Sequence, residues 1–209
     1  MANYNFYISN KKCKEQAKEF LRYTWKDSVG VTLLFYGIML IVSSIVVLPA
    51  VFVAWWLVFP LFIVEFLVWS LLDYGYKKYF WELTQLEKVS KKTLFSGFSK
   101  KAGRIFKTYL KKLFLGIFWF VLLIVPYFFK YPKYAVATYV IWDKPDVQNP
   151  VKESKRLMNG NVDRYAKLEL SFAHWYLLVL VTAFVAGLWV MPYLATAEAV
   201  FYEDLKTDF

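Results

Sequence analysis

The chain has 209 residues, of which 59% are hydrophobic and 22% aromatic, and it carries a formal charge of +10. No soluble domain of this size needs so much apolar content, so the composition points to membrane spans, and the excess of Lys and Arg reads first as a topology signal. Nucleic-acid binding is the weaker reading because the basic residues flank apolar runs without a recognition motif, and the lone Cys13 excludes an internal disulfide framework.

Residues 1–28 are polar and basic, with Ala17, Phe20, Leu21, Tyr23, Thr24 and Trp25 set among charges at roughly helical spacing. The pattern predicts a cytosolic amphipathic helix lying on the membrane surface, with a solvated helix as the alternative. No cleavable signal peptide is expected, because the polar start is long and no small-residue cleavage site follows the first apolar run.

Val29 to Leu72 is a run of 44 residues with a single charge, Glu65. One crossing takes about 20 residues, so this length predicts two. Pro49 near the midpoint, with Trp55 and Trp56 close by, places a tight outer turn there. The first hairpin is thus predicted over 29–83, its inner end marked by Lys77 and Lys78. Residues 84–104 are again basic, and Ile105 to Val125 form a third span whose lysines, Lys107, Lys111 and Lys112, can snorkel to the inner headgroups.

Pro126 ends or bends that span, and two topologies then compete. If residues 127–164 were one outer loop, seven basic residues would lie outside, against the positive-inside rule. If instead residues 127–143 return through the membrane, and residues 192–205 return again after an outer turn at Pro192, then 24 of the 26 Lys and Arg lie inside. The charge asymmetry decides for an all-α bundle of about six spans in three hairpins, a single integral membrane domain with both termini cytosolic. Its second helix-hairpin unit covers 84–143 and its third 144–209. Length is the weak point. At about 1.5 Å per residue, the segments at 127–143 and 192–205 are too short for a ~30 Å core unless they borrow flanking residues, thin the bilayer or stop as half-crossings.

The second and third units match at an offset of 60 residues. Arg104 aligns with Arg164, Lys107 with Lys167, Pro132 with Pro192, Ala135 with Ala195, Val140 with Val200, Trp142 with Tyr202 and Asp143 with Glu203. The first third follows the same order of basic helix, long span, proline turn and returning span. Three such units make a parallel repeat, an arrangement that places sites at repeat interfaces in transporters.

The segments TLFSGFSKKAGRIFKTYL, YAVATYVIWDKPDVQNPVKESKRLMNG and MPYLATAEAVFYEDL resemble those of bacterial integral membrane proteins catalogued as domain of unknown function 975, over nearly the whole chain. The marks here are LFSGF at Leu94–Phe98, the S-x-x-L-M-x-G stretch at Ser154–Gly160, and a Pro-Tyr pair followed by FYEDL. The chain departs where many relatives have Pro-Gly after the third span, since it has Pro126-Tyr127. The resemblance implies a polytopic membrane protein and no particular activity.

Ionisable groups within the predicted spans are costly and tend to face a bundle interior or cavity. Glu65, Glu198 and His174 are therefore the candidate intramembrane polar sites, Glu169 being assigned to the inner interface and His174, the only histidine, also reading as a packing residue. Small-residue pairs, Ala195 with Ala199 and Ala183 with Gly187, suit close helix packing or a homo-oligomer face. Trp25, Trp81 and Trp142 flank the inner ends, and Trp55, Trp56 and Trp189 the outer ones, as an aromatic belt. Lys88, Lys91, Lys92, Lys100, Lys101 and Arg104 cluster beside the third span as candidate anionic-lipid contacts. No catalytic, metal-binding or cofactor motif is present, so no enzyme activity and no cofactor are expected. Two functions compete: a non-enzymatic envelope module that interacts with lipid or a membrane-protein partner, and a small transporter lined by Glu65 and Glu198 at the repeat interface.

Overall fold

The computed structural model describes residues 9–52, 56, 58–86, 89–122 and 130–206. Every regular element among them is helical. Lys88, Trp55, Pro126 and Tyr127, all used in the reading above, lie outside the described residues.

Helix α1, Asn10–Leu21, starts on Ser9, whose hydroxyl accepts from the Lys12 amide. Its apolar stripe, Cys13, Ala17 and Leu21, is fully buried. The stripe packs into the core of the protein. Lys14 bonds the Ser171 carbonyl and hydroxyl and rests over the Phe172 ring, and the Asn10 amide bonds the Arg164 carbonyl. These contacts clamp the start of the chain onto its C-terminal third.

Helices α2, Trp25–Phe52, and α3, Val58–Thr84, contain the two stretches long and apolar enough to cross a membrane, Trp25–Val46 and Phe59–Thr84. At 1.5 Å per residue these measure about 33 and 39 Å. They pair antiparallel, with Thr32 near the start of α2 hydrogen-bonded to Tyr76 near the end of α3, and Ser43 further along α2 donating to Glu65. The turn does not fall at Pro49. Helix α2 runs on to Phe52, because a proline in the last turn removes a single backbone bond and leaves the preceding ladder intact.

A 3-10 turn, Lys91–Gly97, then docks on α3. It holds the LFSGF mark, and two glycines make the contact possible. A Cβ on Gly75 of α3 would lie 1.9 Å from the Leu94 carbonyl oxygen, and one on Gly97 would lie 2.1 Å from that of Leu71. Helix α4, Ala102–Leu122, follows. Only Leu113–Leu122 is free of charge, about 15 Å of helix, and its Phe114, Ile117, Phe118 and Phe120 are exposed.

Where the fourth span was expected, Tyr131–Tyr134 forms a 3-10 turn and Ala137–Asp143 a seven-residue helix, α5. Ala137, Thr138, Tyr139, Val140 and Ile141 are all buried. At about 10 Å, α5 is too short to cross, and its backbone is enclosed by protein, the condition under which short elements are tolerated at membrane depth. Two short helices, α6 (Pro150–Leu157) and α7 (Val162–Leu170), carry the S-x-x-L-M-x-G mark between and within them. Ser154 bonds the Lys133 carbonyl, Leu157 and Met158 are fully buried, and Gly160 has φ +84°, a left-handed geometry that favours glycine.

The expected long span over 168–190 is broken twice. Helix α7 ends at Leu170, α8 runs from Ala173 to Val181, and α9 runs from Gly187 to Lys206. The turn between α8 and α9 uses Ala183 and Phe184, both in left-handed geometry, so it precedes Pro192, which sits inside α9. The Thr182 hydroxyl accepts from the Ala186 amide and closes the turn.

The returning helices α3, α5 and α9 run parallel and pack together. Trp81, Trp142 and Tyr202 stand near their C-terminal ends, with Trp142 meeting Trp81 at 5.8 Å and Tyr139 at 5.2 Å, and Tyr139 stacking on Tyr202 at 5.1 Å. The FYEDL mark supplies the fastenings there. Phe201 and Leu205 are fully buried, the Tyr202 hydroxyl donates to Asp143, Glu203 accepts from the Trp81 indole, and Asp204 pairs with Arg164. Arg104 donates to the carbonyls of Lys144, Pro145 and Val147 just past α5, while Arg164 pairs with Asp204 near the end of α9.

Candidate functional site: a polar cavity where the three units meet

Helical spacing assembles the site. Asp73 and Lys77 are four residues apart on α3, and Tyr165 and Glu169 four apart on α7, so each pair shares a helix face. Parallel packing of α3 and α9 brings Lys77 to Glu198, with the ammonium 3.3 Å from the carboxylate and most of both side chains buried. The Tyr139 hydroxyl, from α5, donates to Glu198 Oε2 at 3.3 Å, and the Tyr165 hydroxyl to Oε1 at 3.2 Å. Glu198 thus has one cation and two phenols around it, one partner from each of three helices.

On one side, Asp73 accepts from the Tyr109 hydroxyl, which itself accepts from Thr138 at 3.3 Å. On the other, Tyr176 donates to Glu169 Oε2 at 3.3 Å, while Glu169 Oε1 is buried without a hydrogen-bond partner among the described residues. Between them lies a cavity of about 700 Å³, walled by Lys77, Lys112, Asp163, Tyr165, Glu169, Tyr176 and Glu198 on its polar side. Tyr131, Pro132, Ala135, Ala166 and Leu170 supply its apolar side. The cavity lies between the second unit, through α4 and the Tyr131–Tyr134 turn, and the third, through α7 to α9, with Lys77 of the first unit on one wall.

Of the sequence candidates, Glu198 is central here, and Glu169, assigned to the inner interface, lies in the same cavity. Glu65 is elsewhere. It sits twelve residues before Lys77 on α3, about 18 Å along the axis, and accepts from Ser43. His174 is exposed on α8 beside the Trp175 ring and does not line the cavity. Lys91, Lys92, Lys100 and Lys101 are exposed together at the basic end, with Lys91 3.3 Å from the exposed Asp27. Arg104 departs from that group, since its guanidinium is committed to three backbone carbonyls.

Sequence reasoning missed Lys77, Lys112 and the tyrosines. Lys77 and Lys112 read as interfacial lysines, because a snorkelling lysine and a cavity lysine look alike in a hydropathy pattern. The i,i+4 pairs Asp73–Lys77 and Tyr165–Glu169 were the available signal. Outside the apolar helices, the Arg156 guanidinium and the Lys144 ammonium hold the Glu153 carboxyl down at about 2. Burial, reinforced by nearby Asp204, pushes the Cys13 thiol up to about 11.

No curated protein and no solved structure matches the chain. Residues 113–208, which supply most of the cavity wall and the FYEDL fastenings, match the model of the family described as protein of unknown function (DUF975), the family that the sequence resembles.

Proposed function

We propose that the chain is a non-enzymatic, multi-pass module of a bacterial cytoplasmic membrane that engages anionic lipid through its basic end. Three units each leave from and return to that end, which faces the cytosol together with both termini. Six segments enter the bilayer. The first hairpin crosses it, and the shorter second and third are held at depth by contact with protein.

The observation that carries this reading is the spatial separation of surface types. Lys91, Lys92, Lys100 and Lys101 are exposed where α2, α4 and the 3-10 turn begin, whereas the exposed residues further along α2, α4 and α8 are Leu40, Ile41, Phe114, Phe118, Leu180 and Val181. Such apolar exposure is a liability in water and normal in lipid. Each lysine near an anionic leaflet contributes about 1 kcal/mol. The test is co-flotation or copurification of lipid with the full chain in vesicles containing phosphatidylglycerol. Replacing Lys92, Lys100 and Lys101 by Gln should lower the anionic-lipid enrichment at low salt, and an unchanged enrichment would reject the proposal.

The cavity favours a second reading, a small transporter with its site at the repeat interface. Glu198 is the lining residue for that role and Glu65 is not. Loss of substrate movement in Glu198→Gln, with normal expression and with Glu65→Gln unaffected, would support it.

A further inference from the structure

Lys112 and Glu169 wall one cavity with opposite charges and without pairing to each other. Lys112 makes no ion pair or hydrogen bond among the described residues, its ammonium resting 5.4 Å from the centre of the Tyr109 ring. Glu169 keeps one buried carboxylate oxygen without a donor. A buried acceptor with no partner calls for one, and so does a largely enclosed ammonium. By contrast, Lys77 and Glu198 already pair with each other.

A lone anion at Lys112 would leave Glu169 unmatched and would face Glu198 and Asp163 across the cavity. A lone cation at Glu169 would face Lys77 and Lys112. A ligand carrying both signs completes both groups at once. The apolar wall continues outward, because Tyr131 lines this cavity and also a groove of about 230 Å³ formed with Leu113, Gly116, Ile117 and Phe120 of α4. Ile117 and Phe120 are exposed along that groove, so it suits a hydrocarbon chain that starts where the polar cavity ends.

We propose that this cavity binds a zwitterionic amphiphile with a primary amine, the chemistry of an ethanolamine phospholipid, with its phosphate at Lys112, its ammonium at Glu169 and an acyl chain along the α4 groove. The proposal rests on the membrane reading above but not on the exposed lysines, so the two fail separately. A primary ammonium can donate to the orphaned Glu169 oxygen, and a quaternary choline cannot.

The full chain, stripped of lipid in detergent, is titrated with dihexanoyl phosphatidylethanolamine, dihexanoyl phosphatidylcholine, dihexanoyl phosphatidylglycerol and free phosphoethanolamine. Binding is read by native mass spectrometry and by thermal stabilisation. The ethanolamine lipid should bind at least about tenfold tighter than the other three, a difference of about 1.4 kcal/mol. Lys112→Gln and Glu169→Gln should each abolish that preference, and Ile117→Trp, which crowds the groove from an exposed position outside the polar cluster, should weaken the lipid without altering the thermal stability of the lipid-free chain. The Lys92, Lys100 and Lys101 variants should bind the ethanolamine lipid as the parent does. Equal binding of the glycerol lipid, or its survival in Glu169→Gln, would overturn the zwitterion assignment. Equal binding of free phosphoethanolamine, or an indifferent Ile117→Trp, would overturn the amphiphile.

Discussion

Two glycines, one on each side of the contact between α3 and the basic 3-10 turn, each pack against the other side's backbone and leave no room for a methyl group. Gly75→Ala would set its Cβ 1.9 Å from the Leu94 carbonyl oxygen, and Gly97→Ala 2.1 Å from that of Leu71, where ordinary contact begins at 3.4 Å. The obstacle is backbone in both cases, so the turn must withdraw by about 1.5 Å or α3 must bend. Overpacking costs about 1–3 kcal/mol, and an obstacle that cannot rotate away belongs at the upper end. For a chain of this length, each kcal/mol corresponds to about 2–4 °C in Tm, so a drop of about 6–12 °C is expected for either variant. Gly37→Ala and Gly103→Ala supply controls, since nothing lies within 4 Å of their added methyl groups and alanine favours helix by up to about 1 kcal/mol. Tryptophan fluorescence during heating in detergent gives all four values. Gly75→Ala and Gly97→Ala melting within about 1 °C of the parent would show that the turn is not seated on α3 as described.

The buried pair makes a second prediction. Lys77→Met or Glu198→Gln alone should cost about 3 kcal/mol, the lower end of the range for breaking a buried pair because part of Lys77 stays accessible, and the double variant should recover more than half; additive losses would contradict direct pairing. Cys13 should label slowly with maleimide in the folded protein and at the normal rate after denaturation, because its buried thiol titrates near 11; prompt labelling of the folded chain would place it at the surface. Glu153 is held below its ordinary value, so its pairing contributes fully above about pH 4.5 and is lost as the pH falls toward 2. The Tm difference between the parent and Glu153→Gln should therefore narrow between about pH 6 and pH 3, and a constant difference would dismiss the Arg156 and Lys144 contacts as its cause.

Much of the architecture was readable because membrane physics is coarse. The run from Val29 to Leu72 with only Glu65 charged requires an apolar hairpin, and α2 and α3 form one. Arg104 and Arg164 stand 60 residues apart and differ in what they hold, Arg104 binding backbone carbonyls and Arg164 the Asp204 carboxylate. Glu198 was identifiable as a charge in an apolar setting. What hydropathy does not distinguish is lipid from protein as the apolar surroundings. The α1 stripe of Cys13, Ala17 and Leu21 reads identically whether it meets a bilayer or α9, and α5 reads as a span although protein encloses it. Prolines misled in a consistent direction. Pro49 and Pro192 read as turns, yet both lie within helices near their ends, where losing one amide is tolerable. The turn after α8 carries left-handed Ala183 and Phe184 and no glycine, so no residue type announced it.

The central claim is that the basic end of the fold, where α6 carries Lys152 beside Lys155 and Arg156, faces the cytosol. A single cysteine introduced as Lys152→Cys, with Cys13 replaced by Ser, tests it in intact cells using a membrane-impermeant maleimide. The account predicts labelling only after the membrane is permeabilised. Labelling from outside in sealed cells would reverse the orientation and remove the basis for lipid engagement at the lysine-rich end.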